Sequence, residues 1–368
     1  MAANDELLDA AIAHQIALQR YSTGVVRRMI AVLNRSDQRL FAELVAALER
    51  LDPASFTVQR LESMLGSVRA INAQAYARVG DDLRKELRDF TDYEASYQQM
   101  ALASVLPTQL SVAAVVPEQV YAAAMARPFQ GVILQGALDD LSAGKAKKIR
   151  QAIAQGFVEG KTSSQIVREL RGTRALKYAD GLLEIDRRHL QTIVQTAISH
   201  TAGFVQDRHY AANADLLKGV SWSAKLDLRT SSACRIRDGK MWDMKHKPVG
   251  HSLPWGAGPG AYHYNCRSSA APVLKSFKEL MGVDVDESKF PVGSRASLDG
   301  QLPANQTYNE WLTKQSAMRQ DSVLGPTRGK LLREGKLPID QMYTPKGDYL
   351  SLKQLRELDA STFSRAGL

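Results

Sequence analysis

The chain of 368 residues has two cysteines, Cys234 and Cys266. Cys266 closes the spacing His263-Tyr264-Asn265-Cys266, an H-x-x-C pattern that can aim an imidazole and a thiolate at one ion. Cys234 can supply a third donor. Asp227, Asp238, His246 and His251 lie within loop reach as a fourth, with Asp227 or His251 foremost, and water is a further candidate. Zinc suits this mixture of sulfur and nitrogen donors, and a structural ion would serve a small module with little core of its own. Two other chemistries fit the same pair: reduced thiols packed in a core, or a disulfide, which a reducing compartment disfavours.

The elements around these residues form a small β-containing module. Val220 to Ala224 alternates apolar and small polar residues like a half-buried strand. Asp238-Gly239 stands between two short strand-like runs in Arg235 to Trp242, which predicts a hairpin. Residues 248–260 hold three prolines and four glycines, so they form a loop, with Trp255 packed. Arg267 beside Cys266 can fix the module's closure through a carboxylate such as Asp227.

Upstream the periodicity is helical. Phe41, Leu44, Val45 and Leu48 share one helix face, Asp52-Pro53 interrupts, and further helical runs are expected over about 58–79 and 81–103. Residues 106–127, with two prolines, read as a linker or extended arm. A second helical region opens at Pro128-Phe129-Gln130-Gly131. Ile149, Ile153 and Phe157 form one stripe, and Gly160 fits a helix end. Thr162 and Gln165 predict a capping box for a helix that stops at Gly172, and a long helix follows over about 186–212.

The fold class is therefore mainly α with a small α+β C-terminal module. Residues 1–105 are expected as a helical bundle or arm, 106–127 as the linker, 128–275 as helices plus β-hairpin, and 276–368 as a helical extension.

Forty-eight Lys+Arg against 39 Asp+Glu give a formal charge of +9 and favour polyanions, without a dense basic block. Lys145 to Arg150 and Lys225 to Lys247 are the main basic clusters, spaced for backbone contacts or for a solvated face. The acidic start lacks a signal-peptide pattern, and no segment reaches the roughly 18 to 20 apolar residues of a membrane helix, so stable membrane insertion is not expected.

Catalytic templates fit poorly. There is no phosphate-binding P-loop, no Gly-x-Ser-x-Gly elbow, no His-Glu-x-x-His helix and no helix-turn-helix signal. Asp238, His246, His251, His263 and Asn265 offer the ingredients of a metal-dependent His-Asn-His nuclease acting on DNA, but no histidine doublet heads a hairpin.

The ordered string Trp222, Asp227, Thr230, Cys234, Asp238-Gly239, Pro254, Gly256, Pro259, His263, Asn265-Cys266-Arg267 resembles the signature of Mu-F-like phage head-morphogenesis proteins. In that family a tryptophan-bearing strand, an Asp-x-x-Thr-x-x-x-Cys segment and a His-Pro-x-Cys-Arg-Cys box recur in this order. Here Tyr264 replaces the box proline, and Ser268 stands where a second box cysteine is frequent. Similarity extends over about 128–345, including Tyr308 to Gln315 and Val323 to Arg328.

The resemblance implies a minor capsid protein of a tailed phage rather than an enzyme. It implies association with the portal, contacts with scaffold or major capsid protein, and non-specific backbone contacts to packaged double-stranded DNA. The expected place is the virion interior at the portal vertex, and the host cytoplasm during assembly, with roles in head morphogenesis, DNA packaging or ejection.

Overall fold

A computed structural model describes residues 2–50, 57–176, 178–282, 294–344 and 347–368. It is mainly helical, with a small antiparallel sheet in the C-terminal half. Two compact units are each gathered from separated segments.

One unit comprises residues 19–92 and 121–201. Helices α1 (Ala2–Glu49) and α2 (Val58–Ala103) both contribute to it. Leu44 and Leu48 from the expected face are buried, with Phe41 packed at the edge of the same core. The Asp52-Pro53 break lies outside the described residues. The two runs expected over 58–79 and 81–103 are one helix, because Gly80 costs only about 1 kcal/mol in a helix interior. The side chain of Leu138 packs against the position its Cβ would occupy.

The expected arm at 106–127 is partly helical: α3 spans Pro117–Ala126. Proline at the first helical position loses no hydrogen bond, and Val120, Tyr121 and Ala124 bury one face. Pro128 to Gly131 does not open a helix. Phe129 and Val132 form an isolated antiparallel bridge instead, and α4 (Leu134–Val158) begins after it.

Ile149 and Ile153 of α4 reach the core with Ile166 and Leu170 of α5 (Ser163–Arg171). The Thr162–Gln165 capping box forms as expected, and Gly172 ends α5 at φ +84. Beneath the helices, Lys145 Nζ lies 2.5 Å from Asp37, which also takes Arg187 at 2.9 Å.

The other unit comprises residues 1–18, 93–120 and 202–368. Its sheet has the order β3-β2-β1-β4, from β1 (Leu217–Ser223), β2 (Met241–Trp242), β3 (Pro248–Val249) and β4 (Ser269–Leu274). The β3 edge is two exposed residues long and begins with proline. At the opposite end of the sheet, the Asn4 side chain accepts from Leu274 N–H (2.7 Å) and Gln15 donates to the Arg267 carbonyl. Trp222, Trp242, Tyr308 and Trp311 lie in the core beside both cysteines.

The predicted hairpin centred on Asp238-Gly239 is not what forms. Residues Ser232–Arg235 are a short helix, α7, and the chain turns through 236–240 into β2. Gly239 still needs its left-handed φ of +73. Asp238 does something else: its carboxylate accepts from Ala224 N (2.7 Å) and Tyr308 N (2.7 Å) and pairs with Arg295 at 3.0 Å.

The region after residue 275 is mostly helix and turn: α8 (Phe277–Met281), α9 (Tyr308–Thr313), α10 (Ala317–Leu324), α11 (Pro326–Arg333), α12 (Leu352–Leu358) and α13 (Ala360–Arg365). It also holds an unpredicted hairpin, β5 (Ser294–Ser297) with β6 (Gly300–Pro303). No described helix is long and apolar enough to cross a membrane.

Helix α6 (Glu184–Ala212) carries His209, fully buried, with neither ring nitrogen partnered among the described residues. Burial pushes its pKa from 6.5 down to about 4. The folded state therefore disfavours the proton that the unfolded chain takes up below about pH 6.5. Stability present above that pH is lost as pH falls toward 4, by on the order of 3 kcal/mol over the window. Urea midpoints of wild type and His209→Gln should diverge between these pH values. Parallel curves would refute this assignment.

Candidate metal centre

Two short turns bring the thiols and one imidazole together. Ser231 caps α7 by accepting from Cys234 N–H, which fixes the first turn and the direction of the Cys234 side chain. The second turn runs from His263 to Cys266, whose N–H donates to the His263 carbonyl at 3.1 Å. Asn265 sits in it at φ +55, a conformation that asparagine tolerates better than most residues. Strand β4 follows three residues later and anchors the turn to the sheet.

Cys234 Sγ lies 3.8 Å from Cys266 Sγ and 3.2 Å from His263 Nε2. One donor atom from each residue falls within 4.8 Å of the others. Both cysteines are buried free thiols, and His263 is half-buried. His263 Nδ1 is 2.8 Å from the Tyr264 carbonyl, which can only accept. The proton therefore sits on Nδ1, leaving Nε2 toward Cys234 and toward the Ser231 hydroxyl at 2.7 Å.

The electrostatics of the group favour one negative sulfur. A hydrogen bond from Cys234 holds the Cys266 thiol well below its usual range despite burial, with His263 assisting. The same sharing, together with burial, pushes the Cys234 thiol up. The contact with Cys266 raises the His263 imidazole above its usual value against the opposing effect of desolvation.

The two residues expected as a fourth donor do not join the group. Asp227 is held in a two-pronged pair by Arg267, at 2.5 and 2.8 Å, and takes further bonds from Arg229 N–H and the Thr230 hydroxyl. Burial alone would raise its carboxyl; the Arg267 guanidinium and these bonds more than offset that and hold it low. His251 accepts from Leu253 N–H at Nδ1 (3.2 Å) and so donates from Nε2 to the Met241 carbonyl (2.8 Å). Both of its nitrogens fasten the 248–253 loop against Trp242.

The remaining motif residues frame the group. Trp222 packs edge-on against Trp255 and Tyr262, and Arg237 lies over the Tyr262 ring. Asp238 is committed to Arg295, and His246 to Asp207 and the face of Trp255. These groups do not converge with His263 on one reacting point, as a nuclease centre would require.

Sequence reasoning missed Ser231, Arg237 and Arg295. The run Thr230-Ser231-Ser232 before Cys234 carried a helix-cap signal for the first. Arg237 and Arg295 are buried arginines that reach the Pro254 and Ala224 carbonyls, 17 and 71 residues away, contacts that no local pattern announces.

No curated protein and no solved structure matches the chain. Residues 147–271 match the family model described as Phage Mu protein F like protein. The match takes in every residue of the string from Trp222 to Arg267, whereas Tyr308 to Gln315 and Val323 to Arg328 lie beyond its end. Residues 147–271 are therefore a Mu-F-like region of this chain.

Proposed function

We propose that the protein is a minor capsid protein of a tailed phage head, docked at the portal and acting in procapsid assembly and DNA packaging or delivery. The observation that carries this reading is the Mu-F-like match over 147–271. The role requires binding surfaces and no turnover. Its partners would be the portal ring, scaffold or major capsid protein, and the packaged double-stranded DNA. It would reside in the host cytoplasm during assembly and then in the virion interior at the portal vertex.

Electrostatics support the DNA contact. The chain carries a formal +9. In the unit formed by residues 19–92 and 121–201, a cleft of about 830 Å³ is lined by Asn34, Phe41, Arg171, Tyr178, Arg187 and Arg188, among others. Its carboxylates Asp37 and Glu184 are already paired, with Lys145 and Arg187. Arg171 and Arg188 have no carboxylate partner among the described residues, and Arg171 stands 5.0 Å over the Tyr178 ring. The surplus charge is positive and suits phosphodiester oxygens.

Imaging of assembled particles with a label on this chain tests the reading. Density at the inner face of the portal is the expected result, and particles that lack the chain would overturn it. Fluorescence anisotropy on duplex DNA tests the cleft: Arg171→Ala with Arg188→Ala should reduce the slope of log K against log salt by about 2. An unchanged slope removes the cleft from the DNA contact. Plasmid nicking with divalent metal, abolished by His263→Ala, would replace the assembly reading with a nuclease.

A further inference from the structure

We infer that Cys234, His263 and Cys266 form a structural zinc site that ties the α7 turn to the turn leading into β4. The first argument is metric. Two thiolates on a tetrahedral zinc, each at about 2.3 Å, stand about 3.8 Å apart. The two sulfurs here are 3.8 Å apart. A disulfide needs about 2.05 Å between them and would require the two turns to move together.

The second argument is the imidazole. A ligating histidine offers one ring nitrogen to the ion and donates the other N–H to a carboxylate or carbonyl that fixes its tautomer. His263 has that arrangement, with Nδ1 on the Tyr264 carbonyl at 2.8 Å and Nε2 facing Cys234.

The third argument is charge. Two deprotonated thiols buried together would be strongly unfavourable alone, and a divalent cation between them makes the set neutral. Asp227 is not free to replace a sulfur, because it is committed to Arg267. The Ser231 hydroxyl, 2.7 Å from Nε2, is the protein oxygen on hand for the fourth position; otherwise a water fills it.

The role is structural by the same geometry. Cys234 and Cys266 are 2% and 0% exposed, and the turns they anchor belong to the Trp222 core. An ion there would crosslink α7 to the sheet.

The full chain, purified under reducing conditions with added zinc and then freed of excess, provides the test. Native mass spectrometry and elemental analysis should find about one zinc per chain. Cobalt substitution should give a thiolate-to-metal charge-transfer band in the near ultraviolet. Chelation should lower the melting temperature by about 5 °C or more. Cys266→Ser and His263→Gln should each lose the cobalt band and the chelator effect.

If either variant fails to fold, the wild-type cobalt spectrum and chelator shift still decide. Wild-type protein that binds neither metal, with an unchanged melting curve under chelator, would leave two packed thiols and overturn the site. A mass lower by about 2 Da with no alkylatable thiol in protein prepared without reductant or chelator would assign a disulfide and overturn it equally.

Discussion

Replacing Asp238 with alanine is expected to destabilise the sheet-containing unit by about 3–5 kcal/mol, the usual cost of breaking a buried ion pair from one side. The Asp238 side chain is fully shielded from water, and that of Arg295 is 4% exposed, so neither charge has water as a substitute. The substitution would strand the Arg295 guanidinium and two backbone N–H groups, those of Ala224 and Tyr308. One carboxylate therefore closes three joints: the end of β1, the start of α9 and the β5–β6 hairpin. Asp238→Asn retains an acceptor and should lose less. Equilibrium urea unfolding of both variants checks the order, and a loss under 1 kcal/mol for Asp238→Ala would refute the joint.

The second large effect is expected in the other unit. Asp37→Ala should cost a similar 3–5 kcal/mol, because Lys145, 1% exposed, would lose the carboxylate it is paired with. Lys145→Met should cost far less. Methionine fills the apolar path of the lysine stem, and Asp37 keeps Arg187 at 2.9 Å. Arg187 remains partly open to water and can be resolvated if its partner is lost, so it does not share the penalty equally. Native-state hydrogen exchange should show the Asp37→Ala loss in amides of α4 and α5. Equal losses for the two variants would contradict this asymmetry.

What could be read along the chain and what could not divides by the range of the interaction. The Thr162–Gln165 box and the Gly172 stop depend on neighbours within four residues, and both were legible. The packing of Trp255 was legible because an aromatic in a proline- and glycine-rich loop has little else to do. The pairing of His263 with Cys266 was visible as a spacing, and Cys234 entered as the other of the two cysteines.

The turn at Asp238-Gly239 looked like a hairpin because the dipeptide demands a left-handed residue, which it does have. Its strand-like flanks were overruled by a cap from Ser231 and by Arg295, 57 residues downstream. His251 was an unsuitable fourth donor for a reason no spacing reveals: both its nitrogens serve backbone groups in its own loop. Gly80 and Pro117 misled in opposite ways. A glycine can be carried inside a long helix, and a proline can begin one.

The ends of the four-stranded sheet bear on self-association. An open strand edge is a template on which another chain can add. Here one rim is two residues long and starts with a proline that has no N–H to give. At the other, side chains of the first helix hold the Leu274 N–H and the carbonyl of Arg267 just before β4. Lengthening the β3 rim or removing Asn4 and Gln15 would leave more open hydrogen-bonding groups along the sheet and favour stacking of one copy of the chain on another.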